Sequence, residues 1–397
     1  MTPTDLPTLR NEPLEPYIPQ PTKYSYTLAL QQQLGERGLI EVAYVGSQQR
    51  HLQRYFQLND PIPVMLEGGI PYHPARPQRA GGAPQVATCL PAPHGSWDGV
   101  SRLPSRCSST SVTDIRRNPN WGRVRQRGSD ANAKYNGLQV RFSRQTVSGA
   151  IFKANYTFSK AMNQQGGLNT ADNGKRDLIN SQDPANPGRD WGRAAFDSTH
   201  VFTSTATLPL PFRISSGAAN ALLGNWEVSS VFTAYSGQPF TATLGFNWSR
   251  NGNGGASDRP SVNPNYQGNA LNPIIGSPDR WFDANAFVLP NPLGLATPQP
   301  GFFGNLGRNT LIGPRLVNLD FILTKRFRLG EEKELRFRAE FFNLLNHPNL
   351  GLPDNAALDR NAAANGVSRV LPTVGRIPAD ETTTTARQIQ FGLRFTF

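Results

Sequence analysis

Histidine, cysteine and carboxylate are the side chains whose spacing would betray chemistry. The five histidines, His51, His73, His94, His200 and His347, are scattered along the chain, and no HExxH or comparable ligand spacing joins them. Neither a GxSxG turn nor a phosphate-cradling GxxxxGK[ST] loop occurs. The cluster Gly252, Gly254, Gly255 lacks a preceding strand and a following helix, so it reads as a loop tip. Asn and Asp in 169–175 and 247–258 offer oxygen ligands of the kind calcium takes, but they miss the EF-hand spacing, and turn chemistry accounts for them. A glycoside hydrolase would need two convergent carboxylates, and among the 28 Asp and Glu no pair stands out. The chain is therefore read as not an enzyme, with no cofactor and no metal. Cys89 and Cys107 lie close together in a Pro/Ser/Gly-rich segment without CxxC spacing. A loop-closing disulfide contributing about 3 kcal/mol is one reading, two free thiols the other.

Charge narrows the partners. The formal net charge of +12 permits nucleic-acid binding. Apart from the pair Arg116–Arg117 the arginines are scattered singly, however, with no long basic run and no recognition motif, so no nucleic-acid partner is expected. Glu334, Arg336, Arg338 and Glu340 form the densest charge row. They fit a lumen face whose charges pair with neighbouring strands, or else a surface that contacts a plug or lines a solute path.

The elements that would carry these residues are strands. Charged residues make up 17% of the chain, below the roughly 25% of soluble domains. No run of 18 apolar residues exists, so a transmembrane helix is not expected, whereas a β-barrel hides its apolar residues at every second position. At the C-terminus Ile389, Phe391, Leu393, Phe395 and Phe397 alternate with Gln388, Gln390, Gly392, Arg394 and Thr396. A strand puts those five apolar groups on one face, and a run of about 11 residues suffices to cross a bilayer obliquely. The pattern recurs at Leu335, Phe337, Ala339 and Phe341; at Val317, Leu319, Phe321 and Leu323; at Phe152, Ala154, Tyr156 and Phe158; and at Leu138, Val140 and Phe142. Trp226, Val228, Phe232 and Ala234 share a face in 224–245, and further strands are expected over 22–34, 38–48, 122–145 and 198–211, roughly nine spans in all. Short links near 35–37, 146–148, 212–223 and 329–331 alternate with long ones near 49–121, 164–196, 246–312 and 347–385. Outer-membrane barrels alternate in this way, with short periplasmic turns and long extracellular loops. The long links are rich in Gly, Pro, Asn and Asp and read as loops rather than further core. The fold class expected is all-β: a partial antiparallel outer-membrane β-barrel, open and curled.

Several stretches resemble the late barrel strands of Oar-like TonB-dependent receptors. They are GNLGRNTLIGPRLVNLDFILTKRFRLGEEKELRFRAEFFNLLNHPNLGLP, DWGRAAFDSTHVFTSTATLPLPF, NWEVSSVFTAYSGQPFT, YNGLQVRFSRQTVSGAIFKANYTFSKAMN and the terminal RQIQFGLRFTF. The resemblance runs from about residue 22 to Phe397. It implies a barrel of about 22 strands around an N-terminal plug, coupled through a TonB box to the inner-membrane motor. No plug or TonB box is recognisable, and the opening MTPTDLPTLRNEPLEPYIPQP lacks the charged and apolar regions of a signal peptide. The expectation is a fragment: 1–21 an irregular segment from a truncated extracellular loop, and 22–397 the C-terminal part of a TonB-dependent receptor barrel. The resemblance further implies a terminal strand, Ile389, Phe391, Leu393, Phe395 and Phe397, read by the barrel-assembly machinery. The implied partners are outer-membrane lipid, the TonB complex through the missing part, and a solute ligand that the sequence does not identify. The alternative is a secreted all-β adhesin or glycan-binding module, which needs no lipid-facing band.

Overall fold

The computed structural model describes residues 18–57, 61, 63–73, 124–164, 181–183, 186–212, 217–251, 258–329, 333–363 and 365–397. Cys89, Cys107, His94, residues 1–17 of the N-terminal segment and the 169–175 run lie outside the described residues. Nine long strands form one antiparallel sheet in chain order: β1 Thr22–Gln33, β2 Gly38–Gln57, β3 Arg125–Gln145, β4 Ile151–Asn163, β5 His200–Pro209, β6 Trp226–Tyr235, β7 Leu316–Arg328, β8 Glu334–Phe342 and β9 Gln388–Thr396. The pair Gly192–Arg193 adds to the end of β4. The sheet is not closed: β1 and β9 are its edges.

Register turns alternation along each strand into rows across the sheet. Opposed residues point to the same side, so Leu30, Val42, Val140, Tyr156, Phe202, Ala234 and Val317 form one apolar row through seven strands. Phe321, Phe341 and Ile389 continue that face, as do Leu323, Ala339 and Phe391. The adjacent row shows the other face: Gln31, Glu41, Arg141, Asn155, Thr203, Thr233 and Asn318. Arg141 lies 3.4 Å from Glu41, and the Asn155 amide donates to Thr203 Oγ1 at 3.4 Å. A slip of one residue would exchange the two faces entirely, so these rows pin the register. The expected grouping of Leu319, Phe321, Phe337 and Phe341 with Ile389, Phe391, Leu393 and Phe395 holds, with Asp320, Arg336, Arg338 and Arg394 opposite.

The links sort by length at the two ends of the sheet. Three turns are tight, closed by Leu34 N–H to Gly38 O (2.8 Å), Thr146 N–H to Ala150 O (2.8 Å) and Leu329 N–H to Lys333 O (2.8 Å). Gly35 and Gly149 take φ of 65° and 85° there, which costs a residue without Cβ little. The fourth short link holds a helix, α1, Gly217–Leu223.

Four features differ from the sequence reading. β2 runs on to Gln57, past register shifts around His51, whose φ is 57°, instead of stopping near 48. The β6 strand ends at Tyr235 rather than near 245. The long links are not merely loops. They pack a hydrophobic core of their own from Phe240, Leu244, Trp248, Phe282, Phe287, Leu306, Leu311 and Leu358. Finally, the 334–340 charges pair along their own strand, Arg336 with Glu334 at 2.7 Å and Arg338 with Glu340 at 2.6 Å, rather than across strands. Successive same-face positions are close enough for long side chains to lie along the strand.

Candidate functional site

The terminal strand is the site the sequence singles out. β9 pairs with β8 alone, Phe391 opposite Ala339 and Leu393 opposite Phe337. Phe391 and Leu393 are 68% and 70% exposed, and Phe397 projects beyond the strand with its ring stacked 5.7 Å from that of Phe395. Phe391 stacks on Phe337 at 6.1 Å. This exposure is not local. Leu28 and Leu30 on β1 are 70% and 73% exposed on the same face. A continuous apolar face of this size on a sheet suits hydrocarbon, not water. Basic residues interrupt it at several strand positions, one of them on β7. Lys325 falls in the row of Trp226, Phe337 and Leu393, but its ammonium donates to the Gly224 carbonyl just after α1 and sits 5.4 Å from the Trp226 ring and 5.0 Å from that of Phe327. The amine is thereby removed from the apolar surface.

The other candidate lies where the long links meet the polar face. Arg308 donates through Nε to the Asp190 carbonyl at 2.8 Å and through Nη2 to the Asn163 carbonyl at 2.6 Å, tying a link to the end of β4. Beside it the buried Arg259 donates to Asp190 Oδ1 at 3.0 Å and to the Arg189 carbonyl at 3.0 Å. Burial pulls the Arg259 guanidinium below its ordinary value, opposed by the charge of Asp190. Removing Asp190 would strand that charge, at a cost of about 3–5 kcal/mol. Asp258 accepts from Ser249 N–H at 2.7 Å and from its hydroxyl at 2.8 Å; burial nevertheless raises its carboxyl from 3.8 to about 6. Burial lowers His73 from 6.5 to about 4. Asp197 takes the Ala161 N–H at 2.7 Å.

Below these staples the polar face opens into a cavity of about 720 Å³. Ser25, Val45, Ser47, Tyr135, Ala161 and Phe196 are among its lining residues. An aromatic and apolar wall with scattered hydroxyls is what a bulky, partly apolar solute requires. The alternation of the strands did not point to this cavity, because it forms where the long-link ends of the first four strands meet Ala194 and Phe196 of a link. Of the histidines, His200 meets the Tyr156 hydroxyl at 2.8 Å on the apolar face and His347 lies within a turn held by Asn343; the structure does not bring them together.

No curated protein matches the sequence. Among solved structures, the outer membrane transporter YddB from Escherichia coli is similar, at 9% identity and a TM-score of 0.43, over 97% of this chain and 34% of that one. The chain thus spans about a third of the length of the transporter it matches. The sequence matches the outer membrane beta barrel domain over residues 2–390, nearly its whole length, and the chain belongs to that family.

Proposed function

We propose that this chain is the C-terminal part of the barrel of a TonB-dependent outer-membrane receptor-transporter of the Oar-like kind, and that it acts as a wall and vestibule for solute rather than as an enzyme. Membership of the outer-membrane barrel family places the chain in the outer membrane. The observation that carries the transport reading is the pairing of two surfaces on one sheet: an apolar face on one side, and on the other a polar face ending in the roughly 720 Å³ cavity beneath the linked loops. In this reading the long links face outward and choose the solute, and a plug and TonB box supplied by other sequence couple it to energy. β9 is the strand read by the assembly machinery. The adhesin alternative accounts for the packed links but leaves the apolar face without a use.

The test is uptake. Cells lacking the gene and cells lacking TonB are each offered a panel of labelled oligopeptides, oligosaccharides and metal chelates. Loss of the same solute in both strains is expected, with partial loss when Phe196 and Tyr135 are changed to Ala. A solute lost in the gene deletion but still taken up without TonB contradicts the coupling. Unchanged uptake of every solute in the gene deletion contradicts transport.

A further inference from the structure

The polar-face cavity is ordered in rows. Ser25, Ser47, Tyr135 and Ala161 stand opposite one another on β1 to β4, and Lys23 opposes Gln49 in the next row towards the long links. All six line the cavity, and no carboxylate is among its lining residues. Tyr135 does not stand up from the sheet. A Cβ on Gly137 would come within 2.6 Å of the Tyr135 hydroxyl and 3.0 Å of its Cζ, so the ring leans along β3 over bare backbone. Its row neighbours Ser47 and Ala161 are too small to cover it. Among the described residues the hydroxyls of Ser25, Ser47 and Tyr135 take no protein partner.

A second aromatic side chain is held at the same cavity by a fixed turn. Ala161 on β4 gives both of its backbone groups to a link: its carbonyl accepts the Ala194 N–H at 2.9 Å and its N–H donates to Asp197 Oδ1 at 2.7 Å. The turn closes on itself through Asp197 N–H to the Ala194 carbonyl at 2.9 Å, and Arg193 Nη1 lies 3.2 Å from Asp197 Oδ2. Phe196 is the third residue of that turn and is 74% exposed at the cavity wall. One wall therefore presents two open rings, and beside them stand unpartnered hydroxyls, a carboxamide and an ammonium.

Sugars match that combination. A pyranose carries its hydroxyls around the edge and C–H groups on its faces. The C–H face suits the negative face of an aromatic ring. The edge needs donors and acceptors of the kind that Ser25, Ser47, Gln49 and Lys23 offer. A cationic solute or a bare metal ion would instead call for carboxylates, which the lining lacks. We propose that Tyr135 and Phe196 form the aromatic subsite of an oligosaccharide-binding cavity, each ring packing on the C–H face of a sugar. Arg193 and Asp197 are positioning residues that hold Phe196 in place. The proposal rests on the transport reading above and narrows its solute to carbohydrate.

The full-length gene product in mild detergent is applied to an array of immobilised oligosaccharides, and each glycan that retains it is titrated in solution. The double variant Tyr135→Ala, Phe196→Ala should bind about tenfold more weakly, and Gln31→Ala, on the same face near the short links, should match wild type. Phe196→Ser alone gives the same comparison should the alanine pair fail to fold. Gly137→Ala keeps both rings but sets a methyl where the Tyr135 hydroxyl lies, and should weaken binding without changing heat-modifiable gel mobility. The pair Tyr135→Phe, Phe196→Tyr keeps both rings in place and should stay close to wild type. Retention of the wild type by no glycan, equal affinity in the alanine pair, or an equal loss in Gln31→Ala would overturn the proposal. Uptake separates it from the transport reading. A glycan bound through the two rings yet taken up equally by cells lacking TonB sinks the coupling and leaves the subsite standing. TonB-dependent uptake of a peptide or chelate that neither ring variant impairs sinks the subsite and leaves transport standing.

Discussion

Asn349 shows how single side chains organise this molecule. Its Oδ1 accepts the Val317 N–H at 2.8 Å and its Nδ2 donates to the Val317 carbonyl at 3.0 Å, so one carboxamide does the work of a neighbouring strand at the entry to β7. Two titratable groups in the link core act in opposite senses. Asp258 keeps its proton up to about pH 6 when folded, against an ordinary 3.8. The stability it adds is full below 3.8 and lost as pH rises through 6, about 3 kcal/mol. His73 stays neutral down to about pH 4, against 6.5. Its contribution is full above 6.5 and lost as pH falls through 4, again about 3 kcal/mol. The two slopes oppose each other, so wild-type stability of the link core should be nearly flat between pH 4 and 6.5. In Asp258→Asn the urea midpoint followed by Trp248 fluorescence should rise with pH across that window, and in His73→Gln it should fall. Two variants that keep the flat wild-type profile would show that neither group titrates as its burial dictates.

At the scale of the element, β9 concentrates the consequences of facing lipid. Phe391→Arg puts a charge on that face and should lower stability in lipid vesicles by about 2–4 kcal/mol near the midplane. Gln390→Arg, on the polar face, should cost far less, and equal losses would argue against a lipid-facing side. Removing Phe397 should reduce outer-membrane insertion of the complete protein, read by heat-modifiable gel mobility, much more than Thr396→Ala does. Phe397 extends the apolar register and stacks on Phe395, whereas Thr396 belongs to the other face. Strands such as β9 were legible in the sequence because side chains alternate with a period of two and only one face tolerates polar groups. The upper half of β2 was not, since SQQRHLQRYFQ has no alternation and its pairing bends around His51. The link core escaped notice for a different reason. Phe240, Phe282 and Leu358 come from segments far apart in sequence, joined through Gly- and Pro-rich chain, and no local period announces such packing. The sequence reading also stops at Leu323 and does not weigh Lys325, whose place in the apolar row depends on the covering turn after α1.

For the molecule as a whole, parity matters most. Neighbouring strands are antiparallel throughout, so the first and last of nine run the same way and could meet only as a parallel seam. Two copies in the same membrane orientation meet the same obstacle, and bacterial single-chain barrels have even strand counts. Antiparallel closure therefore calls for an odd number of further strands. Expressed alone, residues 1–397 should be insoluble or degraded, because apolar edges left open aggregate; a chain that conducts ions stably in a planar bilayer would contradict this. The account depends above all on one face of the sheet meeting lipid, and a nitroxide scan of β9 in the full-length protein in native outer membranes tests that directly. Single cysteines from Gln388 to Phe395 are spin-labelled, and collision rates with oxygen and with a water-soluble nickel chelate are compared. Oxygen accessibility should peak at Ile389, Phe391, Leu393 and Phe395 and fall at Gln390, Gly392 and Arg394, with the nickel chelate in antiphase. Accessibility to nickel at Phe391 and Leu393 as high as at Gln390 and Gly392 would mean that this face does not meet the membrane.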